Sequence, residues 1–183
     1  RDVEWAALTG GLLPSWLGPV VVVLGLVWLL NLFNFMDGID GIAAVQTVCA
    51  CVGGALLAAC AGVADGWVVP LVLAAAVGGF LVWNWPPARI FLGDVGSGFL
   101  GLTVGLMALD AARSQPKLLW GWAVLLAVFV SDASMTLLRR ALRGERVYVA
   151  HRNHEYQRLA RRWGDHRPVT VLVGVIDVLW LLP

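Results

Sequence analysis

The acidic residues placed to do chemistry fall in two short strings at the ends of apolar segments, Asn31-Leu-Phe-Asn34-Phe-Met-Asp37-Gly-Ile-Asp40-Gly41 and Phe91-Leu-Gly-Asp94-Val-Gly-Ser97. In the first, Asn31, Asn34, Asp37 and Asp40 recur every three residues where an apolar helix ends, so they share one side if helical turns persist through the string. A solvated helix cap explains one such residue but hardly four interleaved with Phe35 and Met36. Gly38 and Gly41 let backbone come close to a ligand. In the second string Asp94 lies between glycines just before a new apolar helix, for which Ser97 is the expected N-cap. The unpaired N–H groups and positive dipole end of that helix suit a phosphate, and Asp94 suits a hard cation such as Mg²⁺. A carboxylate at a bilayer surface costs far less than one at the midplane, which fits both strings lying at segment ends.

A third string, His151-Arg152-Asn153-His154-Glu155-Tyr156-Gln157-Arg158, offers two imidazoles and several guanidinium forks that can grip a diphosphate. His151, Arg152 and His154 are assigned the ligand role. Arg139, Arg140, Arg143, Arg158, Arg161 and Arg162 are assigned to topology, anionic headgroups and solvent, and His166 to the surface. Of the carboxylates inside apolar runs, Asp110 snorkels to the outer boundary. Asp132, about two turns before Arg139, is a second-tier candidate pointing toward the same site.

The elements that must position these residues are membrane helices. A chain that is 60% hydrophobic and 14% charged, with ten Trp, 21 Gly and a mean hydropathy of +0.80, is excluded from the water-soluble globular class. Apolar runs occupy 17–35, 42–64, 67–83, 98–112, 118–138 and 168–183, separated by Asp65-Gly66, Asn84-Trp-Pro86-Pro87 and Arg113-Ser-Gln-Pro116-Lys117. The expected fold is all-α, a polytopic transmembrane bundle of about six spans forming a single integral membrane domain over 1–183. Counting crossings puts all three strings on one side. Of the thirteen Lys and Arg, all but Arg1, Arg113 and Lys117 fall on that side, which makes it the cytoplasmic face. Trp67, Trp83, Trp120 and Trp122 lie where an aromatic belt is expected. Gly101-Leu-Thr-Val-Gly105 is a GxxxG that lets a helix approach closely, within the bundle or across a homodimer face. Cys49, Cys51 and Cys60 have the spacing of neither a zinc site nor a disulfide framework.

The three strings, in this order and with these crossings between them, resemble the polyprenyl-phosphate N-acetylhexosamine-1-phosphate transferases, the glycosyltransferase 4 family. Asn34 to Gly41 and Phe91 to Ser97 look like that family's two central cytoplasmic motifs. The Asp132 region with Arg139-Arg140 looks like its next one, and His151 to Gln157 is closest to the branch that starts O-antigen synthesis. The resemblance implies transfer of a sugar 1-phosphate from a UDP-N-acetylhexosamine to undecaprenyl phosphate, releasing UMP. It further implies Mg²⁺, with Mn²⁺ an alternative, and the cytoplasmic face of the bacterial inner membrane. Carried over by motif, Asp94 is the main metal ligand with Asn34 assisting, and Asp40 lies near the uridine. His151, Arg152 and His154 contact phosphates. Asp37, Asn31 and Ser97 complete the catalytic and binding set.

The pattern departs from the family in two places. The family's paired Asp-Asp motif is absent, since adjacent Asp residues occur nowhere in the chain. With no initiator Met and no recognisable signal peptide, the expectation is a C-terminal portion of a longer protein, inactive alone. The proline often found before the counterpart of Asp132 is also missing, which leaves a bend in that helix unsupported by sequence. A transporter for a phosphorylated or anionic solute is the rival class. It calls for polar groups on broken helices near mid-bilayer, whereas these cluster at one end. A structural scaffold accounts for the GxxxG and the Trp residues but not for three ligand-like strings. No nucleic-acid partner is expected.

Overall fold

The computed structural model describes residues 16–144 and 154–181, all-helical among them. The helices are α1 (Leu17–Met36), α2 (Ile42–Cys60), α3 (Val68–Asn84), α4 (Gly93–Ser114), α5 (Leu118–Leu125), α6 (Ala127–Leu142), α7 (Glu155–Trp163) and α8 (Arg167–Ile176). The last runs into a π turn, Asp177–Leu181. Three of them, α1, α2 and α4, are long and apolar enough to cross a membrane, and α5 with α6 makes a fourth if the bent pair counts as one span. The other two expected crossings correspond to shorter helices, α3 with 17 residues and α8 with 10. The protein is a multi-pass membrane protein.

Packing follows residue size. Helix α2 is the centre: Gln46, Thr47, Ala50, Cys51, Gly53 and Gly54 are all buried, and small residues there let neighbouring helices approach. A Cβ on Gly53 would meet Leu125, and one on Gly54 would lie 2.2 Å from the Trp122 ring. The GxxxG works inside the chain, because a Cβ on Gly101 would stand 2.5 Å from the Leu29 carbonyl of α1. Outward faces stay apolar. Val20, Val21, Val23, Leu24 and Val27 of α1 are exposed, the mark of a helix whose solvent is lipid.

The expected single helix over 118–138 is broken by a bend of 68° between α5 and α6. No proline causes it. Leu126 sits at φ −98°, ψ 4°, and the Leu125 carbonyl accepts a 2.9 Å hydrogen bond from Nε2 of the fully buried Gln46. A long-range side chain thus satisfies the backbone group exposed at the break, as a kink in lipid requires. The bend turns the α6 face that carries Asp132 toward the end where α1 finishes.

Candidate active site

Helix α1 stops at Met36, and Asp37 leaves it at φ −84°, ψ 47° with its N–H bonded to the Phe33 carbonyl at 3.0 Å and the Asn34 carbonyl at 3.4 Å. The three-residue repeat therefore does not persist as helix through Asp40, a correction to the single-face expectation. Asn31 turns back on its own helix, its Nδ2 donating to the Val27 carbonyl at 2.7 Å, and lines an open apolar groove with Val27, Trp28 and Leu138. Asn34 is half-buried in the last turn.

The turn after Asp37 is tied to three remote segments. The Ala88 N–H donates to Asp40 Oδ2 at 3.1 Å, and the Thr170 hydroxyl donates to the Asp40 carbonyl at 2.8 Å. The Gly41 N–H donates to Asn84 Oδ1 at 3.0 Å, and Asn84 Nδ2 passes the connection to the Ile90 carbonyl at 2.8 Å. Gly41 adopts φ 77°, the left-handed region open to glycine, which starts α2 immediately after the turn. His166 was expected at the surface. Its side chain is 43% exposed, and it also places Nδ1 3.3 Å from Asp40 Oδ2 and 3.3 Å from the Asp40 backbone nitrogen. The local signal for it was the Asp165-His166-Arg167-Pro168 start of α8, which the crossing count already puts on the motif side.

The second string enters from α4, which begins at Gly93, earlier than expected. Ser97 is consequently not its N-cap: it is fully buried inside the helix, its hydroxyl donating to the Asp94 carbonyl at 3.2 Å. Asp94 lies exposed in the first helical turn, where the dipole favours a carboxylate. It is close enough to act on the first string. Burial, then the charges of Asp94 and Asp40, push Asp37 up from 3.8 to about 7.

His151 and Arg152 lie outside the described residues. His154 is buried, with Nδ1 3.2 Å from Asp132 Oδ2, an arrangement that sets which ring nitrogen carries the proton. The other Asp132 oxygen accepts the Glu155 N–H at 3.0 Å, so Asp132 caps α7 and orients His154 together. Helix α7 docks on the first string. The Tyr156 hydroxyl donates to the Phe35 carbonyl at 2.9 Å, and the His154 ring lies 6.3 Å from that of Phe35. Burial pushes the Tyr156 hydroxyl pKa up, so it remains a donor. A Cβ on Gly38 would stand 2.2 Å from the Tyr156 hydroxyl oxygen and 2.4 Å from Gln157 Nε2, which explains glycine at that position. Arg139 and Arg158 both pair with Glu155 at the rim. The three strings thus meet around residues 35–40, at one end of the bundle.

Among the described residues no group of three His, Cys, Asp or Glu side chains is arranged to hold a metal ion. Mg²⁺ does not need one, because it binds through one or two carboxylates and completes its shell with water and phosphate. Asp37, pushed up first by burial and then by the charges of Asp94 and Asp40, lies among hard oxygen donors. The donor set fits a divalent cation.

The sequence profile of glycosyl transferase family 4 matches residues 6–112, and the chain belongs to that family. It is similar to the probable undecaprenyl-phosphate N-acetylglucosaminyl 1-phosphate transferase of Bacillus subtilis, 29% identical over 168 residues, covering 91% of this chain and 47% of that protein. It is also similar to two phospho-N-acetylmuramoyl-pentapeptide-transferases. That of Lacticaseibacillus paracasei is 32% identical over 83% of this chain and 47% of the relative, and that of Chlamydia muridarum is 32% identical over 90% and 53%. The chain spans about half the length of the curated relatives it matches.

Proposed function

We propose that the protein containing this chain transfers an N-acetylhexosamine 1-phosphate from a UDP-sugar to undecaprenyl phosphate at the cytoplasmic face of the bacterial inner membrane. An oxygen of the acceptor phosphate attacks the sugar-linked phosphorus, and the bond from that phosphorus to UMP breaks. The product is a diphosphate-linked lipid, made in the first membrane step of O-antigen or cell-wall glycan synthesis. What supports this reading is the burial of Asp37 beside the charges of Asp94 and Asp40, with the Asp132-held His154 ring against Phe35, two residues before Asp37, in a family 4 membrane chain.

Several negative charges come together in such a transfer, so the site must supply cations and fixed donors. Mg²⁺, or Mn²⁺ in its place, would be held by Asp94 with Asn34 assisting and would supply electrostatic stabilisation of the reacting phosphates. Asp40, braced by the Ala88 amide, orients the uridine. His154, turned by Asp132, contacts phosphate together with His151 and Arg152. The bent α5–α6 pair by itself would suit a transporter. Transfer is favoured because the carboxylates gather at one end and the relatives are named as transferases.

Relatives named for N-acetylglucosamine and for N-acetylmuramoyl-pentapeptide match at 29% and 32% identity, so the donor is identified by assay across a panel. The test is UMP release by the full-length protein with undecaprenyl phosphate and a panel of UDP-N-acetylhexosamines, with Mg²⁺ and with chelator. Release that requires both substrates and the metal is expected. No UMP from any donor would refute the assignment.

A further inference from the structure

We propose that His166 is a positioning residue for the nucleotide end of the site, holding the Asp40 carboxylate against the Ala88 amide so that α8 aligns the first motif for a UDP-sugar. The proposal rests on the transfer reading above and adds to it a residue outside the three strings.

The geometry is specific. His166 and Asp40 are 126 positions apart in sequence, yet one ring nitrogen lies 3.3 Å from both Oδ2 and the backbone nitrogen of Asp40. The rest of the first turn of α8 reinforces that contact. Thr170, fully buried, donates to the Asp40 carbonyl at 2.8 Å, and Arg167 Nε donates to the Pro86 carbonyl at 2.8 Å. One helix start therefore straps the Asp40 turn to the Pro86-Pro87 loop, whose Ala88 N–H reaches the same Asp40 oxygen. The Ala88 N–H uses Oδ2, and His166 Nδ1 lies beside that same oxygen, so Oδ1 keeps its lone pairs for a ligand. The pair sits at the mouth of the site: the His166 side chain is 43% exposed and that of Asp40 19%.

A single imidazole nitrogen cannot donate to Oδ2 and accept from the Asp40 N–H at once. With the proton on Nδ1, His166 holds the carboxylate; in the other tautomer it holds the backbone. An asparagine at this position offers both an amide donor and a carbonyl acceptor at similar reach, and it is a good residue to begin a helix. It is the variant that separates positioning from packing.

In the full-length protein, His166→Ala is expected to raise KM for UDP-N-acetylglucosamine about tenfold or more and to leave kcat within about threefold, the pattern of a lost binding interaction. His166→Asn should recover KM to within about threefold. In an Asp40→Asn background, His166→Ala should add no further loss, because the two act as a unit. Lowered kcat at unchanged KM, failure of asparagine to rescue, or additive losses would each overturn the proposal, since damage to the packing of α8 gives those results. Thermal stabilisation by UMP without acceptor lipid is read independently of turnover. Wild-type protein stabilised by UMP but releasing none from UDP-sugars refutes the transfer reading alone. His166→Ala protein stabilised as strongly as wild type refutes the positioning role alone, and wild type indifferent to UMP refutes both.

Discussion

Both ends of the bundle carry carboxylates at helix ends and turns, but they are held very differently. At the end away from the motifs, Asp65 and Asp110 are exposed and line a cavity of about 280 Å³ with Thr103 and Ser114. That end is tied across by a bond from Gln115 Nε2 to the Ala61 carbonyl, which uses neither carboxylate. At the motif end, Asp40 and Asp132 each accept a backbone N–H from a remote segment and each face a histidine, while Asp37 is crowded by its neighbours' charge. Acid content alone does not mark a site. What distinguishes one is a carboxylate fixed by groups far away in sequence, an arrangement a merely solvated turn has no reason to build.

The largest effect should come from removing a motif-end charge. Asp94→Asn in the full-length protein is expected to reduce UMP release by about 100-fold or more, the scale of losing one preorganised electrostatic group. Asp110→Asn should stay within about twofold, and similar losses at both ends would erase the distinction. Next is close packing. Gly38→Ala drives a methyl group into Tyr156 and Gln157, so the melting temperature in detergent should fall by an amount equivalent to about 1–3 kcal/mol, with weakened turnover. Gly78→Ala meets nothing within 4 Å and should lose no stability; equal melting shifts would mean that α7 does not dock as described.

A smaller effect concerns pH. In the folded protein Asp37 titrates at about 7 against 3.8 ordinarily, so between those values the folded state binds a proton that the unfolded chain has released. Without divalent cations, stability should therefore fall as pH rises through that window, and Asp37→Asn should remove this component of the slope. A slope unchanged in the variant would show that Asp37 is not buried and crowded as described. Smallest is Tyr156→Phe, which loses the bond to the Phe35 carbonyl and should cost about 1 kcal/mol in thermal unfolding. No measurable shift would place that contact among those replaceable by water.

The all-helical fold was legible because lipid imposes a strong local signal. Long apolar runs place α1, α2 and α3 to within a few residues, and parity alone brings the three strings to one end. Features made by distant partners were not legible. The bend before α6 depends on Gln46 reaching Leu125, and the reach of His166 to Asp40 spans most of the chain. Neither has a periodicity to read. Ser97 was misplaced for a local reason: Gly93, with φ 67°, lets the helix begin before the polar residue that resembles a cap. The repeat of Asn and Asp was taken past Met36 because spacing does not reveal where a helix stops.

The Phe35 carbonyl belongs to the last turn of α1, where a helix has no later amide of its own to offer. Its donor, Tyr156, lies 121 positions downstream. During synthesis, then, α1 is made with this end untied and waits for Tyr156 to leave the ribosome. A stalled or proteolytically clipped product that never delivers Tyr156 would leave the last turn of α1 with a carbonyl that nothing downstream satisfies.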